Sequence, residues 1–148
     1  PLAQSVEQFP FKELVLVRVA DGPPLPDLMK FILIGIGGAL GALSRSYLSQ
    51  AVERLNFLPL PIGILFVNFI GCFFLGFLIN SLDPKYNDIY QPLIFIGFLG
   101  AFTTFSAFSR ESIDLFNQGH ILLSIIYILS TIVICLLGTW LGMYFTNK

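Results

Sequence analysis

Gly97, Gly100, Thr103, Thr104, Ser106 and Ser109 crowd into one stretch, Gly97-Phe-Leu-Gly-Ala-Phe-Thr-Thr-Phe-Ser-Ala-Phe-Ser-Arg-Glu111, that is otherwise apolar. Glycines and hydroxyls in such a run supply loose backbone and hydrogen-bond donors, the chemistry of holding a small ion rather than of making or breaking bonds. Lipid tolerates irregular polar backbone only where protein buries it or a water-filled path runs beside it. Function is therefore expected here. Asn68 adds an amide to a second apolar run, Phe66-Val-Asn-Phe-Ile-Gly71. Left unsatisfied in hydrocarbon it would cost several kcal/mol, so it must face protein or a pore, as helix glue or as an ion donor. Tyr127, Thr131 and Cys135 recur at every fourth position and share one helix face. Phe105 and Phe108 share another, with Ser106 and Ser109 beside them. Amide N–H, hydroxyl O–H and the positive edge of a phenyl ring all suit a small anion. A path of such groups needs no fixed charge, and weak binding at several points lets the ion leave again.

These residues need elements to position them, and composition says what kind. Apolar residues make up 55% of the 148, charged residues 11%, and the net charge is −1. A soluble domain is roughly one-quarter charged, so the surface of this one faces lipid. No basic patch suggests nucleic acid, no glycine-rich phosphate loop is present, and no Cys/His spacing suits a metal. The single histidine, His120, falls in a loop, and Cys72 and Cys135 lie in apolar runs where a thiol behaves as a small hydrophobe.

Four apolar stretches, 30–51, 62–82, 91–116 and 121–145, are long enough to cross about 30 Å of hydrocarbon as helices of about 20 residues. Short breaks rich in charge or turn formers separate them, around Glu53 to Pro61, Asp83 to Asp88, and Asn117 to His120. Short connections predict antiparallel sequential neighbours and an all-α four-helix membrane bundle. Residues 1–28 do not fit this pattern. They read as an extension or fusion remnant ahead of a membrane domain over 29–148, with Gly22-Pro-Pro-Leu-Pro26 as a stiff linker and Met29-Lys30 as a natural start.

Glycines at 35, 37, 38 and 41, and again at 138 and 142, predict close helix packing and say nothing of substrate. Outside residues 1–28, one membrane side would hold Lys30, Lys85 and Lys148 and the other Arg45, Arg54 and Arg110. The positive-inside rule then has nothing to act on, which favours a protein that inserts both ways and pairs as an antiparallel homodimer. No acidic residue lies in the interior of a span, Glu111 being expected near a membrane boundary. A proton-coupled exporter of cationic drugs needs such a carboxylate.

The constellation resembles the Fluc-type fluoride channels of the CrcB family. The resemblance runs over Met29–Lys148, through Gly37-Gly-Ala-Leu-Gly-Ala-Leu-Ser-Arg45, Gly63-x₄-Asn68-x₂-Gly71 and the Gly97–Glu111 run. It implies a passive fluoride-selective channel that exports fluoride from the cytoplasm, built as an antiparallel dual-topology homodimer with two pores. It implies a third helix broken in mid-membrane, with the backbone carbonyls of Gly100 and Thr103 holding a structural sodium ion at the dimer interface. Asn68, Phe105, Ser106, Phe108, Ser109, Tyr127, Thr131 and Cys135 would line the pore, and Arg45 and Glu111 its vestibules. The setting implied is a prokaryotic inner (plasma) membrane, with fluoride resistance as the role. Two positions depart from the family pattern. Ile64 stands where a threonine is frequent, and Cys135 where a hydroxyl is, so slower or altered conduction is expected. The rival readings are a small multidrug-type secondary transporter and a non-conducting accessory subunit.

Overall fold

Pro26 and Pro61 each stand immediately before a long helix, where a fixed φ and a missing N–H do no harm. The computed structural model describes residues 25–56 and 58–146. In it α1 spans Asp27–Arg54 and α2 spans Ile62–Ser81. α1 outruns the apolar stretch 30–51 at both ends, because polar residues extend a helix as well as apolar ones do, whereas α2 matches the stretch 62–82 to within one residue. The expectation for residues 1–28 lies almost wholly outside the described residues.

The third stretch is not one uniform helix. Asp83 caps a 3₁₀ turn, Pro84–Tyr86, by accepting from the Lys85 N–H at 2.9 Å. A short α3 (Asn87–Tyr90) then gives way to a π-helical segment, Gln91–Leu99, and to α4, Gly100–Phe102. Pro92 sits at the start of the π segment and cannot donate into a regular α ladder. Thr103 and Thr104 are extended, with ψ of 151° and 120°, before α5 (Phe105–Asn117) resumes. At the end of α5, Gly119 adopts φ of 83°. The His120 N–H reaches Leu115 O and the Gly119 N–H reaches Phe116 O, both at 3.0 Å. This is the Schellman arrangement that only an uncluttered left-handed residue allows cheaply. Helix α6, Ile121–Thr146, completes the chain.

Packing differs from the sequential order that short loops suggested. The closest pairings are α2 with α6, and α1 with the π segment; α2 barely meets the segment that follows it. Glycines decide this. A Cβ on Gly37 or Gly41 would collide with the carbonyl oxygens of Leu93 or Phe98, and one on Gly76 or Gly142 with those of Thr139 or Phe73. Backbones that approach so closely gain dispersion contacts that bulkier residues would forbid. The buried core is small, centred on Ile64, Phe108, Leu115 and Tyr127. Large apolar side chains such as Phe31, Leu43, Leu122 and Leu136 are mostly exposed. Among the described residues there is no strand, and four helical stretches are long and apolar enough to cross a membrane: Asp27–Arg54, Ile62–Ser81, Pro84–Asn117 and Ile121–Thr146.

Candidate functional site: the helix interruption and its mouth

The interruption at Thr103 and Thr104 removes backbone hydrogen bonds that a continuous helix would make, and buried backbone groups must be satisfied elsewhere. Asn68 does this from α2. Its Oδ1 accepts from the Thr104 N–H at 2.8 Å, and its Nδ2 donates to Thr104 O at 3.1 Å. Both residues are buried. The side chain of Thr104 then caps α5, its Oγ1 accepting from the Ala107 N–H at 3.2 Å and lying 3.0 Å from Ser106 Oγ. Thr103 Oγ1 turns back to donate to Leu99 O at 2.9 Å. Gly71 makes the approach possible, since a Cβ there would run into the Thr103 methyl. Asn68 and Gly71 thus act as a pair, one turn apart, that lets α2 lie against the break and bond to it.

In an uninterrupted helix the Thr104 N–H would reach Gly100 O. Asn68 diverts it, and Gly100 lies exposed at the surface.

Beyond the break the polar residues divide. Phe105 and Phe108 stand with ring centroids 5.3 Å apart, but Phe105 is 77% exposed and Phe108 only 6%. Phe108 also meets the ring of Tyr127, at 5.6 Å. Ser109 Oγ donates to Phe105 O at 2.9 Å. Tyr127 is fully buried and its hydroxyl donates to Glu111 Oε2 at 2.5 Å, which joins α6 to α5. Thr131, one turn further along α6, is buried, and its hydroxyl oxygen is the single buried side-chain polar atom among the described residues without a hydrogen-bond partner. Cys135, the next in the series, is half-buried beside Cys72 of α2, and both thiols are free. Tyr127 and Thr131 therefore do share a buried face, while Cys135 turns toward the α2–α6 seam.

A cavity of about 540 Å³ opens at this end of the molecule, lined by residues that include Arg45, Glu53, Thr104, Ser106, Arg110 and Glu111. It brings Arg45 and Glu111 together with the polar start of α5. Asn68 lies behind it, bonded to Thr104, and Phe105 projects from the same first turn of α5. The parts played by Thr104, Ser112 and Ser124 were not legible in advance. Thr104 is the hub of the network, and its clue is positional: a threonine where one helix ends is a candidate N-cap for the next. Ser112 and Ser124 form a second tie between α5 and α6, Ser124 Oγ donating to Ser112 O at 2.8 Å, and ordinary serines in apolar helices carry no mark of such a role.

With this geometry in hand, comparison with known proteins places the chain. The family model described as CrcB-like protein, Camphor Resistance (CrcB) matches residues 32–143. The chain belongs to this family. It is 42% identical over 120 residues to a protein of Francisella philomiragia subsp. philomiragia named fluoride-specific ion channel FluC, the match covering 77% of this chain and 92% of that one. It is 36% identical over 120 residues to the FluC of Ruminiclostridium cellulolyticum (80% and 92% covered) and 38% identical over 122 residues to that of Azobacteroides pseudotrichonymphae (81% and 98%). The CrcB-like region takes in the interruption, the cavity-lining residues and all or most of each of the four apolar stretches, in keeping with a multi-pass membrane protein.

Proposed function

We propose that this CrcB-like chain is a passive, fluoride-selective ion channel of a prokaryotic inner membrane, a transport protein and not an enzyme. The observation that carries the reading is the Thr103–Thr104 interruption, stitched to Asn68 and set against Phe105, Phe108 and Ser106. A gap in a membrane helix leaves polar backbone that must be buried or must line a path, and here it opens toward a cavity flanked by Arg45 and Arg110. Fluoride gives up hydration to hydroxyl and amide donors and to phenyl edges. Thr131 Oγ1, buried without a partner on the Tyr127 face, has a hydroxyl to offer. The amide of Asn68 carries a second N–H beyond the one given to Thr104 O. Relatives of the family named as fluoride-specific channels support the same substrate.

The finer assembly belongs to the same proposal. Two copies pair antiparallel, through exposed apolar faces such as that of α1, and form two pores. Fluoride leaves the cytoplasm down its gradient. The backbone carbonyls of Gly100 and Thr103 would hold a sodium ion at the dimer interface. The donor chemistry fits, because hard cations take backbone carbonyl oxygens. The break supplies them: Thr103 leaves helical geometry and the N–H due to Gly100 O goes to Asn68. These residues would hold the ion, whose positive charge would offset the repulsion between their carbonyl dipoles.

The multidrug-transporter alternative gains one argument. Glu111 is half-buried in the middle of α5 and hydrogen-bonded to Tyr127, so a carboxylate does sit within a candidate span. Liposomes loaded with KF separate the two readings. Fluoride release that waits for valinomycin, retains chloride and ignores a proton gradient is the expected result. Release driven by a proton gradient without valinomycin would replace the channel with a coupled carrier.

A further inference from the structure

Glu53, at the end of α1, carries a carboxylate aimed across the cavity mouth at the start of α2. Its Oε2 accepts from the Gly63 N–H at 2.8 Å. Its Oε1 accepts from Asn56 Nδ2 at 2.9 Å, and the same amide donates to Leu60 O at 2.6 Å while Asn56 Oδ1 accepts from the Leu58 N–H at 2.8 Å. One acidic side chain thus ties the last turn of α1 to the α1–α2 loop and to the first turn of α2. The cap is not supplied locally, since Pro61, preceding α2, has no side-chain acceptor to give. The fit is close: a Cβ on Gly63 would stand 3.0 Å from Glu53 Oε2 and 2.5 Å from Ser49 O.

The same carboxylate lines the cavity that holds Arg45, Arg110, Ser106 and Glu111. Arg110 lies 3.8 Å from Asp114 on the solvent side. Two arginines, the first turn of α2 and two glutamates therefore line one opening. Without Glu53, two arginines and the α2 N-terminus would stand against Glu111 alone, and the more positive opening would retain an anion longer. A conduction path needs an ion attracted but not retained.

We infer that Glu53 is a specificity-determining and positioning residue of the mouth: its carboxylate occupies the α2 N-terminus, holds the entrance loop, and lowers the positive potential so that anions pass without being trapped. This rests on the cavity being the entrance to the fluoride path, and the test separates the two claims.

The full chain is reconstituted in liposomes and fluoride efflux is measured at low and high ionic strength, with and without chloride outside. Glu53→Gln keeps an acceptor for the Gly63 N–H and removes the charge. At low ionic strength its flux should rise about twofold at subsaturating fluoride, where entry limits, and fall below that of the parent at saturating fluoride, where release limits; both differences should vanish at high ionic strength, and chloride should begin to compete. Arg45→Gln should do the opposite at low ionic strength. A response of Arg45→Gln with none from Glu53→Gln overturns the role of Glu53 and leaves the entrance reading standing. Silence from both variants, in protein that still conducts fluoride, means the cavity lies off the path and overturns both. A purely structural role would lower flux at every ionic strength, and that result also overturns the inference. Glu53→Ser, a smaller neutral acceptor, carries the same expectation if the glutamine variant does not assemble.

Discussion

Two seams hold this molecule together, and they solve opposite problems. Along the α2–α6 seam, Gly76, Gly138 and Gly142 bring backbones into direct contact, with Phe69, Phe73 and the carbonyl of Thr139 filling the space. Both helices satisfy their own backbones there, and the Asn80 amide donating to Thr146 Oγ1 at 3.3 Å joins them only at the exposed end. At the α2–α5 seam the backbone is broken, and Gly71 alone would not hold it: Asn68 must supply two hydrogen bonds that the helix has lost. The contrast teaches that a small residue can make a membrane contact close, but only a polar partner can make a break in a helix stable. One face of the same helix does each job.

The sharpest way to break the comparison is Asn68→Ala. It orphans a buried N–H and a buried C=O at Thr104, at about 1–3 kcal/mol each, and fluoride efflux should fall at least about tenfold. Asn68→Asp keeps an acceptor for the Thr104 N–H but adds a charge that repels the anion, and it should block as completely. An active Asp variant would put Asn68 off the path. On the other seam, Gly142→Ala drives a methyl into Phe73 O and should cost roughly 1–3 kcal/mol by overpacking, read as a lower unfolding temperature in detergent. Gly38→Ala, where no atom lies within 4 Å of the added carbon, should leave that temperature unchanged. Equal effects of the two would refute the close-contact account.

Phe105→Ile and Phe108→Ile sharpen it further. Loss of the phenyl edge, worth about 0.5–1.5 kcal/mol in an aromatic contact, should slow flux in both by a few-fold. Only Phe108→Ile should also lower stability, since Phe105 is mostly exposed and Phe108 is in the core. Cys135→Ser should have the smallest effect, a rise in flux of no more than about twofold from the better hydroxyl donor. No change would show that this donor does not limit conduction.

Much of this was legible in the chain. Glycines and hydroxyls between Gly97 and Ser109 marked the stretch in which the helix is interrupted, because nothing in a lipid-facing helix requires them. Asn68 was marked for the same reason, though not its partner: an amide's need for hydrogen bonds is local, while the identity of the group that meets it depends on which helices touch. Phe105 and Phe108, read as sharing a face, differ widely in exposure, because residues three apart share a face only roughly and α6 covers one of them through Tyr127. The roles of Thr104 and Glu53 were not foreseen, one being a second threonine in a pair, the other an ordinary loop acid.

By itself, then, the sequence determined the number and length of the apolar helices, the interval in which the third stretch could not stay regular, and the polar inventory available to an ion. Those follow from solvation and backbone propensity, which act over a few residues. Tertiary structure decided that α2 pairs with α6 and not with its successor, that Asn68 meets Thr104 across 36 positions of chain, and that Glu53 caps a helix it does not belong to. Side-chain complementarity between distant segments makes those choices, and no local property of the chain encodes which distant group will be opposite.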